Sequence, residues 1–171
     1  MRWKQWLLTV FLLAVAALIL AYGIGQRVPV EHTAVAAQTI AAPPAKVWAL
    51  LVNVDAQPAW RRGLKSVEEL PEENGHQRWI EHYAGPQLGF VLEQSDPMIL
   101  RVVRIDPMGS SSMDGSWTYQ LMAMDDGRTT VTITEHAHVY SPLFRFLSHY
   151  ILGDTFNQKR YLEDLSKAAT S

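Results

Sequence analysis

The sequence predicts an α+β domain behind one N-terminal membrane-spanning helix. Its elements should run one strand, two short helices, about six strands and a long final helix. Three observations predict this order. An uncharged run extends from Gln5 to Gln26. Residues 64–140 then form short segments, several alternating in hydropathy, separated by turn residues. From Pro142 to Ala169 the pattern changes to steps of three and four, the period of a helix.

In the first element the apolar part, Trp6 to Ile24, is about the length that crosses a hydrocarbon core. Trp3, Trp6 and Tyr22 stand near its ends, where amphipathic rings favour the membrane interface. The alternative is a cleaved signal peptide, but the run is long and its only nearby small-x-small site is Ala21-Tyr22-Gly23. Arg2, Lys4 and the α-amino group precede the span, against Arg27 just after it. This excess places the N-terminus inside and the domain on the extracytoplasmic side of a single-pass protein. The expected organisation is an anchor over 1–26, a tether over 27–32 kept extended by Pro29, and a domain over 33–171.

The domain opens with "TAVAAQTIA", apolar enough for a strand, which Pro43 and Pro44 stop. Val47, Leu50, Leu51 and Val54 then form one helical stripe beginning at a proline suited to a first turn. Asp55 is positioned to cap a second short helix, with Pro58 in its first turn and Trp60 on its buried side. The strands that follow are "LKSVEEL", "HQRWIEHYA", "LGFVLEQ", "MILRVVRI", "SWTYQLMAM" and "RTTVTITEHAHVY". "DDG" between the last two signals a tight hairpin. In the final segment Leu143, Leu147, Tyr150, Ile151, Leu162 and Leu165 recur at helical steps, interrupted by Gly153 as a kink or a close packing point.

Composition narrows the function classes. The 171 residues carry 15 basic and 17 acidic side chains, net −2, which gives no electrostatic reason to expect nucleic acid. Cysteine is absent, which excludes disulfides and thiolate chemistry. No Walker loop or dinucleotide fingerprint occurs, and no cofactor is expected. The serine cluster "GSSSMDG" is a loop, not a nucleophile elbow, because Met113 stands where glycine is required.

The motifs "APPAKVW", "VNVDAQPAW", "GSWTYQL" and "DGRTTVTITE", followed by the C-terminal helix, carry a resemblance across residues 33–169. In this order they resemble the START-like, or SRPBCC (Bet v 1-like helix-grip), superfamily, and within it the polyketide cyclase/dehydratase and lipid transport group. The resemblance implies a seven-stranded sheet curled around the last helix. It also implies short helices closing one end and a cavity that commonly takes an apolar ligand.

Strand periodicity supplies the candidate site. Val131, Ile133, Glu135, Ala137 and Val139 share one face of the last strand, and that apolar face should look inward. Glu135 would then sit among hydrophobic neighbours, where its charged form is disfavoured, as suits a general acid or base. It could equally lie near a cavity mouth or pair with Arg101 or Arg104. Trp79, Glu81 and Tyr83 share a face, as do Phe90 with Leu92 and Trp117 with Tyr119; these groups would line a pocket or simply fill the core. Leu147 and Ile151 are the lining candidates from the final segment. His136 and His138 form an H-x-H on the opposite, threonine-rich face with no third ligand in view, so no metal site is expected. His82 and His149 stand alone.

These residues suit a membrane-tethered module that binds or transfers a lipid or other hydrophobic small molecule. Two alternatives are a cyclase/dehydratase-type enzyme using Glu135, Glu81, Tyr119 or His82 for proton transfer, and a domain that contacts another membrane protein.

Overall fold

The structure is a computed structural model describing residues 2–85, 87–106 and 113–171. The serine cluster at 110–112 and Pro86 of one expected turn lie outside the described residues. Helix α1 (Arg2–Gly25) is followed by β1 (Glu31–Ile40), α2 (Pro44–Val52) and a 3-10 helix (Val54–Ala59). Strands β2 (Ser66–Glu73), β3 (His76–His82), β4 (Gln87–Asp96), β5 (Leu100–Asp106), β6 (Met113–Ala123) and β7 (Thr129–Val139) follow. The chain ends in α3 (Pro142–Phe146), a π-helical turn (Leu147–Leu152) and α4 (Phe156–Thr170). All seven strands form one antiparallel sheet in the order β1-β7-β6-β5-β4-β3-β2.

Local chemistry explains most boundaries. Pro44 occupies the first turn of α2, and the Thr129 hydroxyl donates to the Ala42 carbonyl at 2.8 Å, fixing the reversal after β1. The cap of the 3-10 helix is Asn53, which accepts from the Ala56 amide at 3.2 Å, rather than the expected Asp55. Pro71 lies inside β2, beyond the expected end of that strand. It is tolerated because β2 is an edge strand and its register shifts between Leu70 and Glu73.

The C-terminal segment is not one continuous helix. Gly153 has φ +87°, a left-handed conformation that costs glycine little, and the helix restarts only at Phe156. From there Tyr161, Leu162, Leu165 and Ala169 pack into the concave face of the sheet beside Ile40, Val47, Leu51, Val131 and Ile133.

Among the described residues one helix, Trp3–Gly25, is long and apolar enough to span a bilayer; a signal sequence would look the same. Its far end is built into the domain. A side chain on Gly25 would collide with the Pro142 carbonyl, so glycine lets α1 and α3 meet. Buried Arg145 donates from Nε to the Gly25 carbonyl at 3.0 Å and from Nη1 to the Val139 carbonyl at 2.8 Å. A cation on the last carbonyls of a helix also suits its dipole. The Val139 amide donates to the Val30 carbonyl at 2.8 Å, and β1 starts at Glu31, so the connection from α1 is short and pinned to the sheet.

Gly25→Val is expected to part α1 from α3 in the full chain. Spin labels replacing Leu20 and Ser148 should then move apart; an unchanged distance would contradict the packing.

Candidate functional site

Between the curved sheet and α4 lies a cavity of about 290 Å³. Its sheet wall follows from strand alternation, since residues two apart point the same way. Trp79 of β3 faces Phe90 of β4, which faces Ile105 of β5; Val103 faces Trp117 of β6, which faces Glu135 of β7. Trp79 and Phe90 stack at 5.5 Å, and Tyr161 from α4 meets Trp117 in a T-shaped pair at 6.0 Å. Leu51 and Arg61 contribute to the lining near the short helices, and Phe144 of α3, 37 % exposed, brings it to the surface.

Besides Arg62, Asn157, Arg160 and Asp164, three polar groups interrupt the apolar lining. The first centres on Arg61, which donates to both carboxylate oxygens of Glu81 at 2.5 and 2.9 Å, to Tyr83 Oη at 3.0 Å and to Gln57 Oε1 at 2.6 Å. The Tyr83 hydroxyl donates to Glu81 at 2.6 Å. Burial pulls the Arg61 pKa down, but Glu81, Tyr161 and Tyr83 outweigh it and hold the guanidinium above its ordinary value. Burial raises the Tyr83 pKa, partly offset by Arg61. The bidentate pair is closed, with both charges spent on each other.

The second group is Glu135, 4 % exposed. Gln158 of α4 donates to its Oε2, and His32 Nε2 lies 3.5 Å from its Oε1. Burial pushes its carboxyl up to about 7, with Trp117 pulling the other way. A carboxyl in that range can give or take a proton near neutrality. The third group is Arg101 of β5, 3 % exposed, with its guanidinium 5.4 Å from the Trp79 ring centre.

Sequence comparison agrees with this architecture. The profile of the family described as polyketide cyclase / dehydrase and lipid transport matches residues 31–169. The chain belongs to this family. Its solved relatives in fold include the Zhui aromatase/cyclase from Streptomyces sp. R1128, at TM-score 0.62 and 18% identity over 82% of this chain and 92% of that one. Norcoclaurine synthase from Thalictrum flavum aligns at TM-score 0.63 and 12% identity over 86% of this chain and 91% of its own. A protein from Thermus thermophilus aligns at TM-score 0.61 and 17% identity over 81% and 97%. At these identities the likeness is one of fold. No curated protein sequence matches the chain.

Within this family's cavity the expected residues divide. Trp79, Glu81, Tyr83, Phe90, Trp117, Tyr119 and Glu135 line it. Val131 and Ile133 face the same side but are sealed in the core under α4, fully buried, and Leu92 packs beside that core without lining the cavity. Leu147 and Ile151 do not line it either. They lie before the Gly153 break, on the exposed π-helical turn, because the helical register does not continue through the break. Glu135 pairs with neither arginine. Arg104 bonds Glu93 at 2.8 Å on the outside, and Arg101 forms no ion pair among the described residues. His138 is engaged by Asp114 at 2.7 Å, His82 by Glu68 at 3.3 Å and His149 by Asp154 at 3.3 Å.

Sequence reasoning missed Arg61, Gln158 and Tyr161 as site residues. Tyr161 was within reach, since it completes the helical stripe of Leu162 and Leu165 once the helix is restarted after Gly153.

Two measurements test this geometry. Glu81→Ala would leave Arg61 buried and unpaired, which is expected to cost about 3–5 kcal/mol in denaturant unfolding. For Glu135, folding raises the carboxyl from its ordinary 4.5 to about 7, so the folded state holds a proton that the unfolded state releases in this window. Stability should therefore fall as pH rises from about 4.5 to about 7, by on the order of 3 kcal/mol, and stay level above. Glu135→Gln should flatten that slope; a parent protein that gains stability across the window would contradict the assignment.

Proposed function

We propose that this protein is a membrane-tethered module that binds or transfers a hydrophobic small molecule or lipid in the cavity between sheet and α4. The observation that carries the reading is the continuity from anchor to cavity. Phe144 lines the cavity, and α3, on which it sits, packs against the end of α1. Next to it Leu147, Tyr150, Ile151, Leu152 and Phe156 are all exposed, with Ile151 at 64 %. Such a cluster beside the end of a membrane-spanning helix suits insertion into the interface. A ligand dissolved in the bilayer would then have only a short path to an aromatic cavity, with little exposure to water. The charge bias around α1 favours the domain on the extracytoplasmic side.

Glu135 favours a second reading, proton-transfer catalysis on a bound substrate, because its carboxyl is buried in the cavity and titrates near neutrality. Its mark would be turnover that follows the Glu135 titration and is lost in Glu135→Gln.

Native mass spectrometry of the full chain released from mild detergent, with organic extraction, tests the first reading. A defined apolar ligand near one-to-one is expected, with loss of that mass in Leu88→Trp, since Leu88 of β4 lines the cavity and the larger ring would fill it. A clean apo mass that takes up no added apolar ligand would overturn it.

A further inference from the structure

Among the described residues, Arg101 is the lining guanidinium that is buried without a counter-charge. The carboxylates that line the cavity are engaged elsewhere: Glu81 is held bidentately by Arg61, Asp164 accepts from the Arg62 side chain at 2.5 Å, and Glu135 accepts from Gln158. Among the described residues no carboxylate lies within ion-pair distance of Arg101, and its Nη2 is buried with no hydrogen-bond partner. Its packing is aromatic instead, over the Trp79 ring, with Tyr119 directly across on β6. Arginine stays charged in proteins, so this is a buried cation with donor capacity unused. A buried charge without a partner is costly. A cation–π contact recovers only a small part of that cost.

Position decides what would complete it. On β5, Arg101 shares a face with Val103 and Ile105, and all three line the cavity. An acidic group entering there would meet a planar donor fork suited to carboxylate geometry. The body of the same molecule would lie along Trp79, Phe90 and Trp117. At about 290 Å³ the cavity matches the small end of ligand pockets, which suits a medium-length chain or a fused-ring body.

We propose that the cavity takes a carboxylate-headed amphiphile, with the acid group paired to Arg101 and the apolar body against the aromatic wall. This rests on the ligand-binding reading above and names its ligand class. Aliphatic and aromatic bodies share the chemistry that matters here, the carboxylate.

The test is calorimetric titration of the full chain in detergent with two matched pairs: dodecanoic acid against dodecanol, and 2-naphthoic acid against 2-naphthylmethanol. At pH 8 at least one acid should bind roughly tenfold or more tighter than its alcohol, as expected for a hydrogen-bonded charge pair. The pair that shows the preference identifies the body, aliphatic or aromatic. Arg101→Met should bind that acid no better than its alcohol, and Arg101→Lys should restore part of the preference. Alcohols binding as tightly as acids would overturn the inference while leaving hydrophobic binding standing. An acid preference that survives in Arg101→Met would also overturn it. If neither acids nor alcohols bind, the ligand-binding reading fails, and this inference with it.

Discussion

At Gly153 the backbone takes φ +87°, and the working division of the molecule depends on it. Without that break, one amphipathic helix would run from Pro142 to the C-terminus, and its apolar stripe would have to serve the sheet along its whole length. With it, α4 alone packs into the sheet and supplies Gln158, Tyr161 and Asp164 to the site, while α3 is free to pack on α1 and the π-helical turn stays exposed. The exposed apolar side chains at 147–156 are a consequence of this split. The residues are helical in pattern but have no sheet beneath them.

The joint between α1 and the domain follows the same logic. Three backbone carbonyls, at Gly25, Val139 and Tyr140, converge on one buried guanidinium, that of Arg145. Carbonyls at the ends of two different elements are thereby satisfied by one side chain. Together with the Gly25 approach and the Val30–Val139 bond, this makes the junction a fixed corner. A cavity that opens beside Phe144 therefore keeps a fixed relation to the end of α1.

Much of the fold could be read from the sequence because its signals were local. Prolines at 43 and 44 ended β1, turn residues separated the strands, and period-two alternation on β7 put Glu135 inside. The candidate site was legible only where alternation alone decides direction, as at Trp79, Phe90, Trp117 and Glu135. It was not legible where depth matters, since Val131 and Ile133 obey the same period as Glu135 yet sit under α4 instead of in the cavity. Leu147 and Ile151 lie away from the cavity for a different reason: helical phase cannot be carried across a glycine with positive φ. Arg61 and Arg101 were hidden because sequence gives no sign of which arginine will be buried or which will find a carboxylate.

The central claim is that an apolar ligand from the bilayer occupies the space between sheet and α4. The most direct test is photo-crosslinking of the full chain in liposomes with a diazirine-bearing fatty acid, followed by peptide mapping. Adducts are expected on cavity residues of β3 to β6 and α4, such as Phe90, Trp117 and Tyr161, with their loss under competition by unlabelled fatty acid. Adducts confined to α1 and the exposed segment at 147–156 would contradict it.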